Sequence, residues 1–357
     1  MARIVLALGP STGGIGRHVR QLHDELVLRG WQVTVAGPAA LADTWLAGVA
    51  DFAPVELPGS WPTARSAYAG LAAVARGADV LHAHGLRAGL VATQAARRAG
   101  VPSVVSLHNL VLPETAGRGW RAARLAEPLL GRLGDAAIGV SPDITRRLGR
   151  GAVTIPLSST PVSAGRDRAA VRAELGIEPT DVLALCVARL HRQKRLDVLI
   201  DAARRARARA PALRVLVAGS GPAEPEIGAL AAASEGAVCL LGRRNDVGDL
   251  LGAADIAVLS SAWEATPLAL HEAARFALPL VGTATGGIGE LVVDEVTGLL
   301  VPVGDAGALA AALVRLAEDP GARQRLGAAA RDRELTEFAP ERMMSALERV
   351  YAGVRGG

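Results

Sequence analysis

Short apolar runs alternate with longer amphipathic stretches along nearly the whole chain. Runs of strand length separated by helical stretches predict α/β units with parallel sheets. In the first half they place strands at residues 3–9, 32–37, 79–84, 102–108, 136–140 and 153–156. In the second half the corresponding runs are 181–189, 213–219, 238–241, 256–259, 279–283 and 298–301. Both halves therefore read as open, doubly wound parallel sheets, a class that binds ligands at the carboxyl ends of its strands. The alternation breaks across 157–181, where SSTPVSAGRD precedes a short helix. That break sets a first domain at 1–162 and a second at 163–340, followed by a helical stretch at 341–357.

The most informative stretch is 258–290, VLSSAWEATPLALHEAARFALPLVGTATGGIGE. A strand runs out into Ser260 and Ser261, and Thr266-Pro267 stand before a helical run that includes Leu268. Threonine is a good N-cap and proline suits the first helical position, so a helix is expected from Pro267 to about Phe276. Its positive end, placed just beyond a strand, is a natural seat for an anion. Glu264 precedes that helix and Glu272 falls on its second turn, a spacing of E-x7-E. Two carboxylates beside an amide-rich turn suit a ligand with both phosphates and hydroxyls, such as a nucleotide-sugar.

Composition narrows the picture. A chain of 357 residues accommodates two ordinary domains, and half of it is apolar although only 3% is aromatic. No apolar stretch approaches the ~18 residues of a membrane span. MARIVLALGP at the start reads as a first strand rather than a signal peptide. Cys186 and Cys239, the two cysteines, fall in strand-like runs and are expected to be buried thiols in a reducing cytosol. The net charge of +4 could suit nucleic acid, but scarce aromatics and the lack of a binding module argue against it. Lys194 is the only lysine among the 39 basic residues, which invites a chemical role for it.

The remaining motifs sit at strand ends. GPSTGGIGRHV follows the first strand, and Gly13, Gly14 and Gly16 let backbone approach a phosphate or sugar. A dinucleotide site there would need an acid after the second strand, and none occurs before Asp43. His82 and His84 form an H-x-H pair, which lacks evident further ligands for a metal and reads as structural or cleft-lining. His108 ends the fourth strand. Arg189 ends the first strand of the second domain, with Lys194 five residues on. Gly219 and Gly221 form a turn after the next strand, and Arg243 follows the third. Residues 118–133, RGWRAARLAEPLLGRL, read as a basic amphipathic helix packing on the first sheet, and 203–210, ARRARARA, as a solvated helix face.

These motifs in this order (Gly-Gly, strand-end His, R-x4-K, GSGP, E-x7-E and GGIGE) resemble the retaining glycosyltransferases of family 4. The resemblance implies a GT-B fold, in which two Rossmann-like domains face an interdomain cleft and the last helix commonly crosses back to the first domain. It implies transfer of a hexose from a nucleotide-diphosphate sugar to an acceptor that the sequence does not identify, without cofactor or metal. Arg189 and Lys194 would hold the donor diphosphate, stabilising charge that grows as the glycosidic bond breaks. Glu272 would meet the ribose, Glu264 and His108 the transferred sugar, and Gly13-Gly14 would bring the first domain to the donor. The loop of Gly219 and Gly221 would lie near the nucleotide and Arg243 on the base side. Some relatives glycosylate lipids, so helix 118–133 is a candidate for peripheral contact between an otherwise cytoplasmic protein and a membrane. One departure stands out: Ala265-Thr266 replace the Gly-Phe that usually follows the first glutamate. Two alternatives remain, a nucleotide-sugar epimerase of the same fold and a non-catalytic nucleotide-sugar-binding partner protein.

Overall fold

A computed structural model describes residues 1–11, 14–44, 46–57, 64–112, 120–159 and 161–356. The chain divides into two compact units, Met1–Leu157 with Pro340–Gly357, and Ser158–Ala339.

In the first unit β1 (Arg3–Leu8) leads to α1 (Gly14–Leu28), followed by β2 (Gln32–Gly37), β3 (Phe52–Pro54) and α2 (Ala64–Ala75). Next come β4 (Val80–His84), α3 (Leu86–Ala99), β5 (Ser103–Leu107), α4 (Trp120–Leu133), β6 (Ala136–Gly139), α5 (Pro142–Leu148) and β7 (Val153–Thr154). The seven strands pair in parallel in the order β3-β2-β1-β4-β5-β6-β7. Alternation along β1 builds two cores. Ile4, Leu6 and Leu8 pack with Val19, Leu22 and Leu26 of α1 on one face. Val5 and Ala7 pack with Leu71 of α2 and Val91 of α3 on the other. A strand covered on both faces can be apolar throughout, which is why these runs lack polar alternation. β3 is the strand that sequence pattern does not reveal: it is three residues long, ends on a proline and lies at the sheet edge.

The second unit runs α6 (Arg168–Glu174), β8 (Val182–Val187), α7 (Leu196–Arg207), β9 (Leu213–Ala218), α8 (Glu224–Ala232), β10 (Val238–Gly242), α9 (Val247–Ala253) and β11 (Ile256–Leu259). It continues with α10 (Leu268–Arg275), β12 (Leu280–Thr283), α11 (Ile288–Leu291), β13 (Gly298–Val301), α12 (Ala306–Glu318) and α13 (Pro320–Glu337). Its six strands, again parallel, follow the order β10-β9-β8-β11-β12-β13. Asp167, Asp305 and Asp319 cap α6, α12 and α13 by accepting bonds from first-turn amides, as short acidic side chains do at helix starts. The last helix, α14 (Pro340–Arg355), belongs to the first unit, where Met343, Met344, Leu347 and Tyr351 join the core over α1.

One expectation needs correction. Cys186 is buried, but Cys239 is exposed: it lies on β10, an edge strand with a single neighbour, so one side of it stays uncovered. In α4 only Glu127 and Leu130 are fully buried, so the helix packs by a narrow stripe, while Leu125 and Leu129 point outward at 75% and 46% exposure. No described helix is long and apolar enough to cross a membrane.

Candidate active site

In the second unit the sequence-selected residues collect at the carboxyl edge of the sheet. Lys194 closes a 3₁₀ turn (Arg192–Lys194) in the β8–α7 connection, and Arg195 after it takes a left-handed φ of 47°. That turn is tied to the β11–α10 loop. Ser260 Oγ donates to the carbonyls of Lys194 and Arg195, at 2.9 Å each. Gln193 Nε2 donates to Trp263 O at 2.7 Å, and Ala262 N to Gln193 O at 2.8 Å. The result sets the Lys194 ammonium on the Glu264 carboxylate, 70 residues away in sequence, in an ion pair through Oε1. Ser261 Oγ donates to the same oxygen at 2.6 Å. Glu264 is only 7% exposed and Glu272, on α10, only 6%. A buried carboxylate holding a cation and a hydroxyl is a satisfied one.

The start of α10 differs from expectation. Thr266 does not cap it; Pro267 is the N-cap residue, with φ −80° and ψ 70°, and Leu268 is the first helical residue. Leu268 N donates to Thr266 O at 2.9 Å, closing an inverse γ-turn over Pro267. This turn uses the Thr266 carbonyl and leaves its Oγ1 buried with no hydrogen-bond partner among the described residues. The loop after β12 closes over the same place: Thr283 Oγ1 donates to Ser261 O at 2.6 Å and Gly287 N to Glu264 O at 2.8 Å. At Gly286 a Cβ would fall 2.0 Å from Glu264 O, so only glycine fits there. Behind the site, α10 is pinned to α13 by buried Glu334, which accepts from Arg275 Nε at 3.1 Å and Ser159 Oγ at 2.9 Å and meets His271 Nδ1 at 2.7 Å. Sequence reading missed this lock, because its members lie far apart in the chain.

Arg189 and Arg243, beyond β8 and β10, are exposed and make no side-chain hydrogen bond or ion pair among the described residues. Gly219 and Gly221, beyond β9, are required by close packing, since a Cβ at either would fall 1.9 Å from Ala188 O or 2.3 Å from Leu190 O. These glycines let their loop press on the backbone that carries Arg189. Cys186 lies within electrostatic reach of Lys194 and Glu264, and burial pushes its thiol up to about 12.

In the first unit the polar residues are histidines. Gly13 lies outside the described residues, and Gly14 opens α1 at an exposed position. His108 follows β5 and is buried; His84 ends β4, and His84 Nδ1 lies 3.0 Å from His108 Nε2. The register pairs His84 with Ser106, so His82, His84, Ser106 and His108 share one face by strand alternation. His82 is fully satisfied, with Nδ1 2.8 Å from Tyr351 Oη and Nε2 2.8 Å from Ser106 Oγ. His18, which sequence reading passed over, projects from α1 into the same cluster, its ring centroid 5.3 Å from that of His108. Burial lowers the pKa of His18 to about 4 and of His82 to about 3, and holds His84 and His108 well below the usual range. All four rings are neutral at pH 7.

Comparison with known proteins agrees with this layout. Residues 13–156 match the glycosyl transferase 4-like domain, and 167–333 match the glycosyl transferases group 1 domain. A glycogen synthase of Mycobacterium tuberculosis is 31% identical over 298 residues, covering 78% of this chain and 70% of that protein. An N-acetyl-alpha-D-glucosaminyl L-malate synthase of Bacillus anthracis is 29% identical over 191 residues, 53% of this chain and 50% of that protein. HepE of Anabaena, solved in complex with UDP, has TM-score 0.84 at 21% identity, covering 99% of this chain and 100% of that one. Two Rossmann-like parallel-sheet units with these neighbours define a GT-B glycosyltransferase fold. The chain belongs to the family 4 type of glycosyltransferases.

Proposed function

We propose that this enzyme moves a hexosyl group from a nucleotide-diphosphate sugar to an acceptor with retention of anomeric configuration, without cofactor or metal. The observation that carries the reading is the half-buried Lys194–Glu264 pair beside the start of α10. In the reaction the donor C1–O(phosphate) bond breaks and a C1–O(acceptor) bond forms on the same face, the departing phosphate taking the acceptor proton. Lys194 and the exposed Arg189 stabilise the charge that accumulates on the diphosphate. Thr266 Oγ1, unpartnered among the described residues, and the positive end of α10, with Pro267 and Leu268, suit phosphate or sugar oxygens. Glu264 takes sugar hydroxyls and Glu272 the ribose; Arg243, with the loop of Gly219 and Gly221, lies on the nucleoside side. His108 orients the transferred sugar, and Gly13-Gly14 bring backbone amides to it.

Calorimetric titration with UDP, GDP, ADP, dTDP and NAD under identical conditions tests the donor site. HepE is the reason to place UDP first. One nucleoside diphosphate is expected to bind selectively, and its sugar should then yield a product of unchanged anomeric configuration by NMR in buffer containing EDTA. Binding of NAD alone would overturn the reading at its root. An inverted product would overturn retention, and loss of transfer in EDTA would overturn metal independence.

A further inference from the structure

We propose that His18, His84 and His108 form a three-histidine site for a divalent transition metal of the zinc class within the first unit. Each ring offers one nitrogen, and those three nitrogens all lie within 4.8 Å of one another. All three residues are buried, and each carries a buried ring nitrogen with no hydrogen-bond partner among the described residues: His18 Nδ1, His84 Nε2 and His108 Nδ1. Those of His84 and His108 are the nitrogens opposite the pair that meets at 3.0 Å, so on metal binding they would carry the ring protons and leave the meeting nitrogens free to ligate. His82, in ring contact with His84, shows the contrast, since both its nitrogens are engaged.

The chemistry selects the ion. Neutral imidazoles present lone pairs and no charge, which suits zinc, nickel, copper or cobalt and not the oxygen-seeking calcium or magnesium. Tetrahedral zinc at about 2.0–2.1 Å from nitrogen sets its ligand atoms about 3.3 Å apart. His84 Nδ1 and His108 Nε2 are already 3.0 Å apart. A metal would replace their mutual hydrogen bond, the donating ring moving its proton to its other nitrogen. His18, carried on a helix rather than a strand, closes the remaining distance, and a water completes four-coordination. Because His108 is also assigned to the transferred sugar, metal and sugar would exclude one another there, making the metal an inhibitor. That consequence rests on the proposed function; the binding itself does not.

Titration of the metal-stripped full chain with Zn²⁺ is expected to give one ion per chain. His18→Gln and His84→Gln should each weaken that binding at least about tenfold, with His191→Gln as an unaffected control. Thermal unfolding checks that each variant is folded, and a zinc-induced rise in Tm should occur in the wild type and not in His84→Gln. Co²⁺ should give the strong visible absorption of a tetrahedral nitrogen site. Zinc binding equal in wild type and both variants, or a weak octahedral cobalt spectrum, would overturn the site. If zinc binds as expected and leaves transfer unaffected, the site stands and the sugar role of His108 falls.

Discussion

Both parallel sheets gather polar residues at their carboxyl edges, but in opposite electrical states. The first unit assembles four buried histidines, all neutral: His84 bonds to His108, His82 to Ser106 and Tyr351, and His18 joins them through ring contacts. The second buries a charge, the Glu264 carboxylate, and keeps it by holding a lysine and a serine on one oxygen. The difference follows from the partners available. Burial without a counter-charge removes the proton from an imidazole, whereas burial with one preserves both ions. An edge of the first kind suits hydroxyls or metals; one of the second kind suits anions whose charge changes during a reaction.

The largest expected effect comes from breaking the charged edge. Lys194→Ala strands the Glu264 carboxylate and, on the proposed function, removes a cation from the diphosphate, so transfer and nucleotide affinity should each fall at least about 100-fold. Calorimetry and initial rates measure this, and unchanged turnover would refute the leaving-group assignment. An intermediate effect tests the neutral edge. The buried histidines are neutral when folded, with His18 near 4 and His82 near 3, and take up protons near 6.5 when unfolded. Below pH 6.5 the unfolded chain therefore binds more protons, and stability is lost as pH falls toward the folded values. The dependence approaches about 1.4 kcal/mol per pH unit for each histidine. Denaturant unfolding between pH 7 and 5 should show it, with a shallower slope in His18→Gln; equal slopes would show that His18 does not stay neutral. The smallest effect belongs to Arg243. Being exposed, with no ion pair among the described residues, it should on truncation to alanine cost about 3–10-fold in nucleotide affinity while leaving Tm unchanged, and a large fall in Tm would reveal a structural role.

Much of this architecture was legible because doubly covered strands are apolar throughout, which marks them in any sequence. β3 escaped because three residues ending in proline carry no such mark. In the site, Lys194 and Glu264 were singled out by rarity and spacing, yet their pairing was not readable, since it depends on hydrogen bonds between two loops. The γ-turn at Pro267 displaced the expected threonine cap, a choice set by the loop and not by residue preference. His18 gave no signal, being one histidine on an amphipathic helix. His84 and His108 had the right parity, but only the strand register reveals that they meet.

The bonds that join Gln193 to Ala262 and Trp263, Ser260 to the carbonyls of Lys194 and Arg195, and Gly287 to Glu264 bear on how such enzymes diversify. Three loops that hold one another in place should be exchangeable only as a block. Productive crossovers between relatives should fall outside 190–287, and a chimera that imports the 260–267 segment alone would bring a carboxylate without the turn that delivers its lysine. New donor preferences would then arise by point substitution within the block, at positions such as Ala265 whose side chains stand outside these ties.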